Sequence, residues 1–394
     1  MSSAERLLTR PFLLCALANF TQSLAFNLYL HLPGFLHDLG AGEVQIGVVI
    51  ATTSVASIAV RPPLGRAIDR YGRHRLILLA GVANVGICLL YLTIDSLGPW
   101  TYVVRTLHGL SEAVLFMGLF TVAADWVPAS RRTEGLALYS ASSMLPISFG
   151  GVLGDAILTR ASYDTLFIAS ACFAALSLVM TIPLEEYPRV RRVDDPPRGI
   201  GHALVQRDLA PLWFMGTVFG LVLTGVFVFV KRFVMETQVA TVGTFFSAYT
   251  GAAILVRLAG GRLPDRVGPK RVLLPALATL VGGFLCLAAA RSAAQVLAAG
   301  VLCGLGHGFV YPVLSSLVVA RASESGRGAA ISIHTALPDV GGLFGAPLLG
   351  WLIEVRGFSV MFAAAGAMLA LGSLIFFGWD RRATRNPADP EASS

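Results

Sequence analysis

Predominantly apolar stretches alternate with short polar connections along the whole chain. They run near 12–36, 44–64, 75–94, 99–124, 134–157, 163–183, 211–231, 241–261, 272–290, 294–319, 329–352 and 358–378. Each is long enough to cross a hydrocarbon core as a helix. The pattern predicts an all-α integral membrane protein of twelve transmembrane helices. The one long polar connection, with Arg189, Arg191, Arg192, Asp194, Asp195, Pro196 and Pro197, divides the chain into a first six-span unit (1–184), a linker (185–209) and a second six-span unit (210–394).

The two units read as copies. The run Gly65-Arg-Ala-Ile-Asp69-Arg70-Tyr-Gly72-Arg73 returns 196 residues later as Gly261-Arg-Leu-Pro-Asp265-Arg266-Val-Gly268-Pro269. Arg61 and Arg257 keep that offset, as do Gly154 and Gly350. Pro11 and Pro211 each open the first span of a unit, where the missing N–H of proline costs nothing. Charges this dense between apolar stretches belong in a tight turn at the membrane surface, where water and headgroups solvate them.

Composition agrees: 13% charged and 55% hydrophobic residues, with a mean hydropathy of +0.71, against about 25% charged in a soluble domain. An even number of spans puts both termini on one side, and the basic residues choose the side. Arg160, Lys231, Arg232, Arg291 and Arg356 fall on one face, and Arg61, Arg105 and Arg257 lie within or at the ends of spans. The remaining 22 of the 30 Lys and Arg fall on the other face. Both termini are therefore expected to be cytoplasmic, in a cell inner (plasma) membrane. The net charge of +7 follows from topology, and basic residues dispersed over short loops argue against a nucleic-acid partner. Cys15, Cys88, Cys172, Cys286 and Cys303 sit inside spans as small hydrophobes rather than as a disulfide framework. No metal site or cofactor is expected. Met1 to Arg10 lacks a cleavable signal pattern, so span 1 is expected to stay in the mature protein.

The duplicated motif resembles the signature of the major facilitator superfamily between its spans 2 and 3. Gly65, Asp69, Arg70, Gly72, Arg73 and Arg75 fit it, and Gly261, Asp265, Arg266, Gly268, Lys270 and Arg271 fit the second copy. The resemblance covers the whole chain and implies two pseudo-symmetric six-helix bundles working by alternating access. It also implies a conformational latch in which Asp69 and Arg73 meet an acid at the end of span 4, here Asp125. Pro269 replaces the arginine in the second copy, which implies a weaker latch there. The run Arg105-Thr-Leu-His108-Gly109 matches a family pattern associated with proton coupling. The glycine-proline motif of drug:proton antiporters fits poorly, since Pro146 lies four residues before Gly150.

Inside the spans, Arg105, His108 and Glu112 recur at i, i+3 and i+7 and share one helix face over about 10 Å. Ionisable groups at bilayer depth usually face a cavity or a partner. The functional reading makes Glu112 a proton carrier tuned by Arg105 and His108. The alternative is a fixed Arg105–Glu112 ion pair that only holds helices together. Asp339 is a second proton-coupling candidate, with bonding to backbone loosened by Pro338 as its plain alternative. Asn19, Gln22 and Asn27 in span 1, together with Tyr311 and His334, are candidates for substrate binding, or for bonds between helices. His307, among Gly304, Gly306 and Gly308, reads as close packing rather than a site, and this run inside a span is no dinucleotide motif. Span 7 is almost wholly apolar, so one half of the cavity looks polar and the other greasy. That contrast points to an amphipathic organic substrate rather than a sugar.

No ATP-binding loop is present, so the energy must come from a gradient or from the substrate itself. The leading expectation is proton-coupled efflux by a monomer resembling the drug and metabolite branch. The rivals are a proton-coupled uptake symporter for an organic anion, with Arg105 and His108 on the carboxylate, and a non-transporting membrane sensor. A membrane enzyme is disfavoured because no nucleophile and base sit at workable spacing.

Overall fold

The computed structural model describes residues 8–127, 132–184, 200–261, 263–322 and 327–384. Among the described residues the chain is helical, with short turns and no strand. Helix α1 (Arg10–Asn27) passes through a 3-10 turn (Leu28–His31) into α2 (Leu32–Asp38) and completes the first crossing. Then follow α3 (Glu43–Tyr71), α4 (Arg73–Leu90), α5 (Pro99–Trp126), α6 (Arg132–Leu158) and α7 (Tyr163–Thr181). The second half holds α8 (Ile200–Val205), α9 (Ala210–Thr237), α10 (Val242–Gly260), α11 (Leu263–Val267), α12 (Pro269–Ala288), α13 (Ala293–Arg321) and α14 (Arg327–Thr384). Residues 185–199 of the expected linker lie outside the described residues.

Helix α14 is 58 residues long, which at 1.5 Å per residue would run to about 87 Å, far beyond a bilayer core of about 30 Å. Gly357 resolves this with φ 80 and ψ 173, a backbone that an L side chain rarely adopts, and the chain folds back on itself. Residues 327–356 and 358–384 are thus two crossings joined by one residue. Among the described residues eleven helical segments are long and apolar enough to span, and this break makes the eleventh into the expected last pair.

The turn expected around the duplicated motif is shorter than the sequence suggested. Residues 65–71 continue α3 as helix, and the chain reverses only at Gly72, with φ 84 and ψ 152 as the N-cap of α4. Gly268 does the same for α12, with φ 97 and ψ 136. The repeat is thus visible in the backbone, since the same left-handed glycine stands before the third span of each half. Pro269 follows as the first residue of α12, where proline is tolerated.

Helices α1, α4, α5, α6 and α7 pack as one bundle with α3 against α5, and α9, α10, α12, α13 and α14 as a second. The bundles meet along two seams, α3 with α14 and α6 with α10. The start of α1, the end of α7, the start of α9 and the end of α14 lie at one end of the helices, the linker end, and Asp38–Glu43 at the other, the far end. Close approach is built from glycine. A Cβ on Gly341 of α14 would stand 2.5 Å from Thr217 O and 2.7 Å from Gly220 C of α9. Outward positions are apolar instead of polar: Leu79, Leu258 and Leu374 are 68%, 79% and 72% exposed. Such surface is stable only against lipid.

Gly341→Val is expected to lower the thermal midpoint of the purified protein, by an overpacking cost of about 1–3 kcal/mol or more. Valine at Gly378, which has open space around it, is the control. Equal midpoints for the two variants would remove the close-packing argument.

Candidate functional site

The first-half network forms where α1, α4 and α5 converge. Gln22 Nε2 donates to Glu112 Oε1 at 2.5 Å, and Asn84 Nδ2 donates to the same oxygen at 3.4 Å. Ser111 Oγ holds Asn84 by donating to its Oδ1 at 2.8 Å. His108 Nε2 stands 3.7 Å from Glu112 Oε1. His108 Nδ1 lies 3.0 Å from the Tyr91 hydroxyl and 3.4 Å from Arg105 Nη1. With Nδ1 accepting from these donors, the ring proton is left on Nε2, facing the carboxylate. Phe26, Tyr29 and Tyr91 enclose the imidazole edge-on at centroid distances of 5.8, 4.5 and 5.5 Å.

Arg105, His108 and Glu112 therefore share one face, as their spacing predicts, but the fixed Arg105–Glu112 ion pair does not form. Arg105 turns instead to the Tyr91 hydroxyl at 3.4 Å and to His108. Accessibility separates the three. Arg105 and His108 are buried, at 5% and 0%, whereas the Glu112 side chain keeps 15% of its surface. Its Oε1 takes every bond, and Oε2 takes none from a described residue. The donors that hold Oε1 are neutral amides rather than an arginine.

A second charged group joins the two bundles. Arg61 Nη2 of α3 lies 2.7 Å from Asp339 Oδ2 of α14, and Ser57 Oγ donates to the same oxygen at 2.8 Å. Arg61 Nη1 also donates to Thr335 Oγ1 at 3.0 Å. Asp339 is thus bonded across the seam and not to the backbone loosened by Pro338. Beside it, the Tyr311 ring lies against His334 at a centroid distance of 5.1 Å, tilted by 31°, and His334 Nε2 meets Ser315 Oγ at 2.8 Å. His307 does sit in close packing, as its glycine neighbours suggest, but it also hydrogen-bonds to Tyr249. The second half is less greasy than span 7 implies. Its polar groups come from α10, α13 and α14, while α9 contributes packing.

Of the span-1 candidates, only Gln22 joins the network around Glu112. Asn19 Nδ2 donates to Ser142 and Ser143 at 2.8 and 2.7 Å, tying α1 to α6. Asn27 donates to Ser23 O of its own helix at 2.7 Å. Within the motif, Gly72 and Gly268 are turn residues, Gly261 caps α10, Arg266 is exposed in α11, and Arg73 opens α4. Gly65, Asp69, Arg70, Asp125 and Asp265 lie in helices, but their side chains fall outside the described residues. In the second copy Lys270 reaches Asp380 at 2.5 Å, and Arg321 reaches it at 2.6 Å. Arg321 stands 196 residues after Asp125, so the charge at this position is reversed and the acid comes from the last span.

The far end carries a closure that the sequence reading missed. Arg232 of α9 bonds Glu43 of α3 through Nε and Nη2, each at 2.8 Å, with both side chains nearly buried. Val44 N donates to Glu354 Oε1 at 2.9 Å, and Gly243 N donates to Asp155 Oδ2 at 2.6 Å. Among the described residues, hydrogen bonds between the bundles run from this end only as far as Arg61–Thr335 on one seam and Ser148–Ser247 on the other. Lone charges near loop ends gave no signal, because the partners are 189 and 88 residues apart.

This arrangement is that of a known family. The family model of the Major Facilitator Superfamily matches residues 12–238 and 212–393. The chain belongs to that superfamily and is a multi-pass membrane transporter, not an enzyme. It is 24% identical to the staphylopine export protein of Staphylococcus aureus, over 96% of this chain and 98% of that protein. It is 27% identical to an uncharacterized MFS-type transporter of Pseudomonas aeruginosa, over 90% and 89% of the two chains. A point mutant of the nucleoside transporter NupG superposes with a TM-score of 0.81 at 13% identity, over 94% of this chain and 99% of that one. The human organic anion transporter MFSD10 gives 0.69 at 19% identity, over 93% and 99%. At these identities the two structures speak for the fold alone.

Asp339→Asn is expected to destabilise the protein more than the double substitution Arg61→Gln with Asp339→Asn, because the single change leaves a guanidinium unpaired at depth. A thermal double-mutant cycle reads the coupling, expected at about 1–3 kcal/mol for a partly accessible pair. Additive effects would show that the pair does not hold the seam.

Proposed function

We propose that the chain exports a small, amphipathic organic solute by alternating access in exchange for protons, with Glu112 as the group that loads and unloads the proton. The observation that carries this reading is the split within the first-half network. The arginine and histidine are buried, while the carboxyl beyond the histidine keeps part of its surface and, among the described residues, one oxygen without a bond. A relative over nearly the full length is named an export protein, which supports the direction.

With both termini cytoplasmic in the inner membrane, the far end is the outer one. The present conformation is then closed to the outside by Glu43–Arg232, Glu354–Val44 and Asp155–Gly243. Reaching the outward-open state requires those bonds to break and the linker end to close. There the motif residues Asp69, Arg73 and Asp125 supply the opposing latch. Energy for the exchange comes from the proton. In the outward state Glu112 Oε2 takes a proton as the solute leaves. In the inward state it gives the proton up as the next solute enters. The two states must differ in affinity for each ligand, since a ligand with equal affinity for both shifts nothing.

Proteoliposomes with an internal pH dye test the coupling, using a panel of amphipathic cations, organic anions and sugars. An opposing solute gradient is expected to drive proton movement in the wild type. Glu112→Gln abolishes that movement while solute counterflow persists. Coupled proton movement surviving in Glu112→Gln would remove the residue from its role, and proton and solute moving together would replace export with uptake symport.

The closure has its own test. Glu43→Gln weakens the ion pair and shifts the population outward, so a cysteine placed at Ser54 becomes more reactive to a membrane-impermeant maleimide added from outside. Unchanged labelling would mean that the pair does not hold the outer end shut.

A further inference from the structure

The repeat that generates the fold is broken at one charged position. Arg61 and Arg257 correspond at the 196-residue offset, and so do Asp339 and Ser143. Arg61 therefore has its acid across the seam, whereas the residue that would mirror that acid for Arg257 is a serine, which carries no charge. The serine is also engaged elsewhere, accepting from Asn19. Among the described residues Arg257 has no ion pair or hydrogen bond, and its Nε is enclosed without a partner.

Arg257 does not escape to lipid. On α10 it shares a face with Phe246, Thr250 and Ala253, all buried, while Leu255 and Leu258 point outward at 63% and 79% exposure. Contacts at Gly304 with Tyr249 and Ala252, and at Gly308 with Ala253 and Val256, set the register of α10 on α13. One further turn brings Arg257 level with Tyr311. Tyr311 in turn lies within electrostatic reach of Arg61, Arg257 and Asp339 together. Among the described residues two further polar atoms in this region are enclosed and unpartnered: Thr250 Oγ1, on the face of Arg257, and His334 Nδ1, on the ring that lies against Tyr311. The neighbourhood holds two arginines against one aspartate, and that aspartate is already paired.

We infer that Arg257 is the anion-binding group of the substrate cavity and takes the carboxylate of an organic acid, with Tyr311 beside it. This rests on reading the chain as a carrier of a small organic solute, and it names the class of that solute. A planar guanidinium with free donors matches a carboxylate in two-point geometry, which a neutral amide cannot reproduce. A substrate anion would supply the charge that Ser143 does not, so the second seam would be neutralised only when loaded.

The test uses the full chain in nanodiscs, titrated with 4-phenylbutyrate and phenylsuccinate and with their amides. The carboxylates are expected to raise the thermal midpoint and the amides to leave it unchanged. Arg257→Gln is expected to weaken carboxylate binding about tenfold or more, the scale of a charge-assisted hydrogen bond, and Arg257→Lys to fall between it and the wild type, since lysine keeps the charge and loses the two-point geometry. Without any variant, the carboxylates should slow modification of Arg257 by phenylglyoxal, read by peptide mass spectrometry. Carboxylates no better than their amides on the wild type, full binding by Arg257→Gln, or no protection of Arg257 would each overturn the assignment. Proton movement driven only by neutral or cationic solutes would also overturn it while leaving proton-coupled export standing. Arg257-dependent binding without any proton movement would keep the site and remove the coupling.

Discussion

Hydrocarbon offers no hydrogen bonds, so each polar group taken into it must find a partner within the protein, reach a water-filled cavity, or remain costly. The described structure is organised by that constraint. Among the described residues most backbone groups are satisfied within helices, and several buried polar side chains fall into clusters that each join at least two helices. Asn19 with Ser142 and Ser143 fixes α1 to α6, and Asp380 with Lys270 and Arg321 fixes the linker ends of α12, α13 and α14. The Arg61–Asp339 pair does the same between bundles. Among the described residues Glu112 Oε2 and Arg257 are left without a bond, and the proposed proton and carboxylate sites rest on them.

That logic separates scaffold from machinery within one set of residue types. Asn19 and Gln22 lie one turn apart on α1, yet one spends its amide on another helix and the other on a carboxylate with a free oxygen. Arg105 and Arg257 are both arginines at depth. Arg105 has a tyrosine and a histidine around it, and Arg257 has neighbours but, among the described residues, no bond. Residue type places both in the membrane, and partner geometry gives them different work.

Much of the fold was legible in the sequence because it depends on local quantities. Apolar length predicts the crossings, and the repeated glycine motif predicts the duplication, which the backbone repeats as left-handed residues at Gly72 and Gly268. The family follows from the same motif. The stripe of Arg105, His108 and Glu112 was also visible, since one helix period sets it. What escaped were relations between helices. Asn84 and Ser111 support Glu112 from positions that look like ordinary small polar residues. Asp339 meets Arg61 across 278 residues, and Glu43 meets Arg232 across 189. Such pairings depend on which faces meet and in what register, which packing decides and hydropathy does not record. The helix through residues 65–71 was missed for a related reason, because charge was read as a break when only Gly72 breaks the chain.

The single-residue joint at Gly357 links the eleventh crossing, which forms the seam with α3, to the twelfth, which shows Val360, Leu371, Leu374 and Ile375 to the outside. A joint of one residue has no slack. Displacement of the seam helix during a cycle is therefore delivered to a surface that lipid chains press upon, and the bilayer becomes a mechanical load on the gate. Thickness and lateral pressure of the membrane enter the energetics of transport through that elbow, without any lipid having to bind at a defined site.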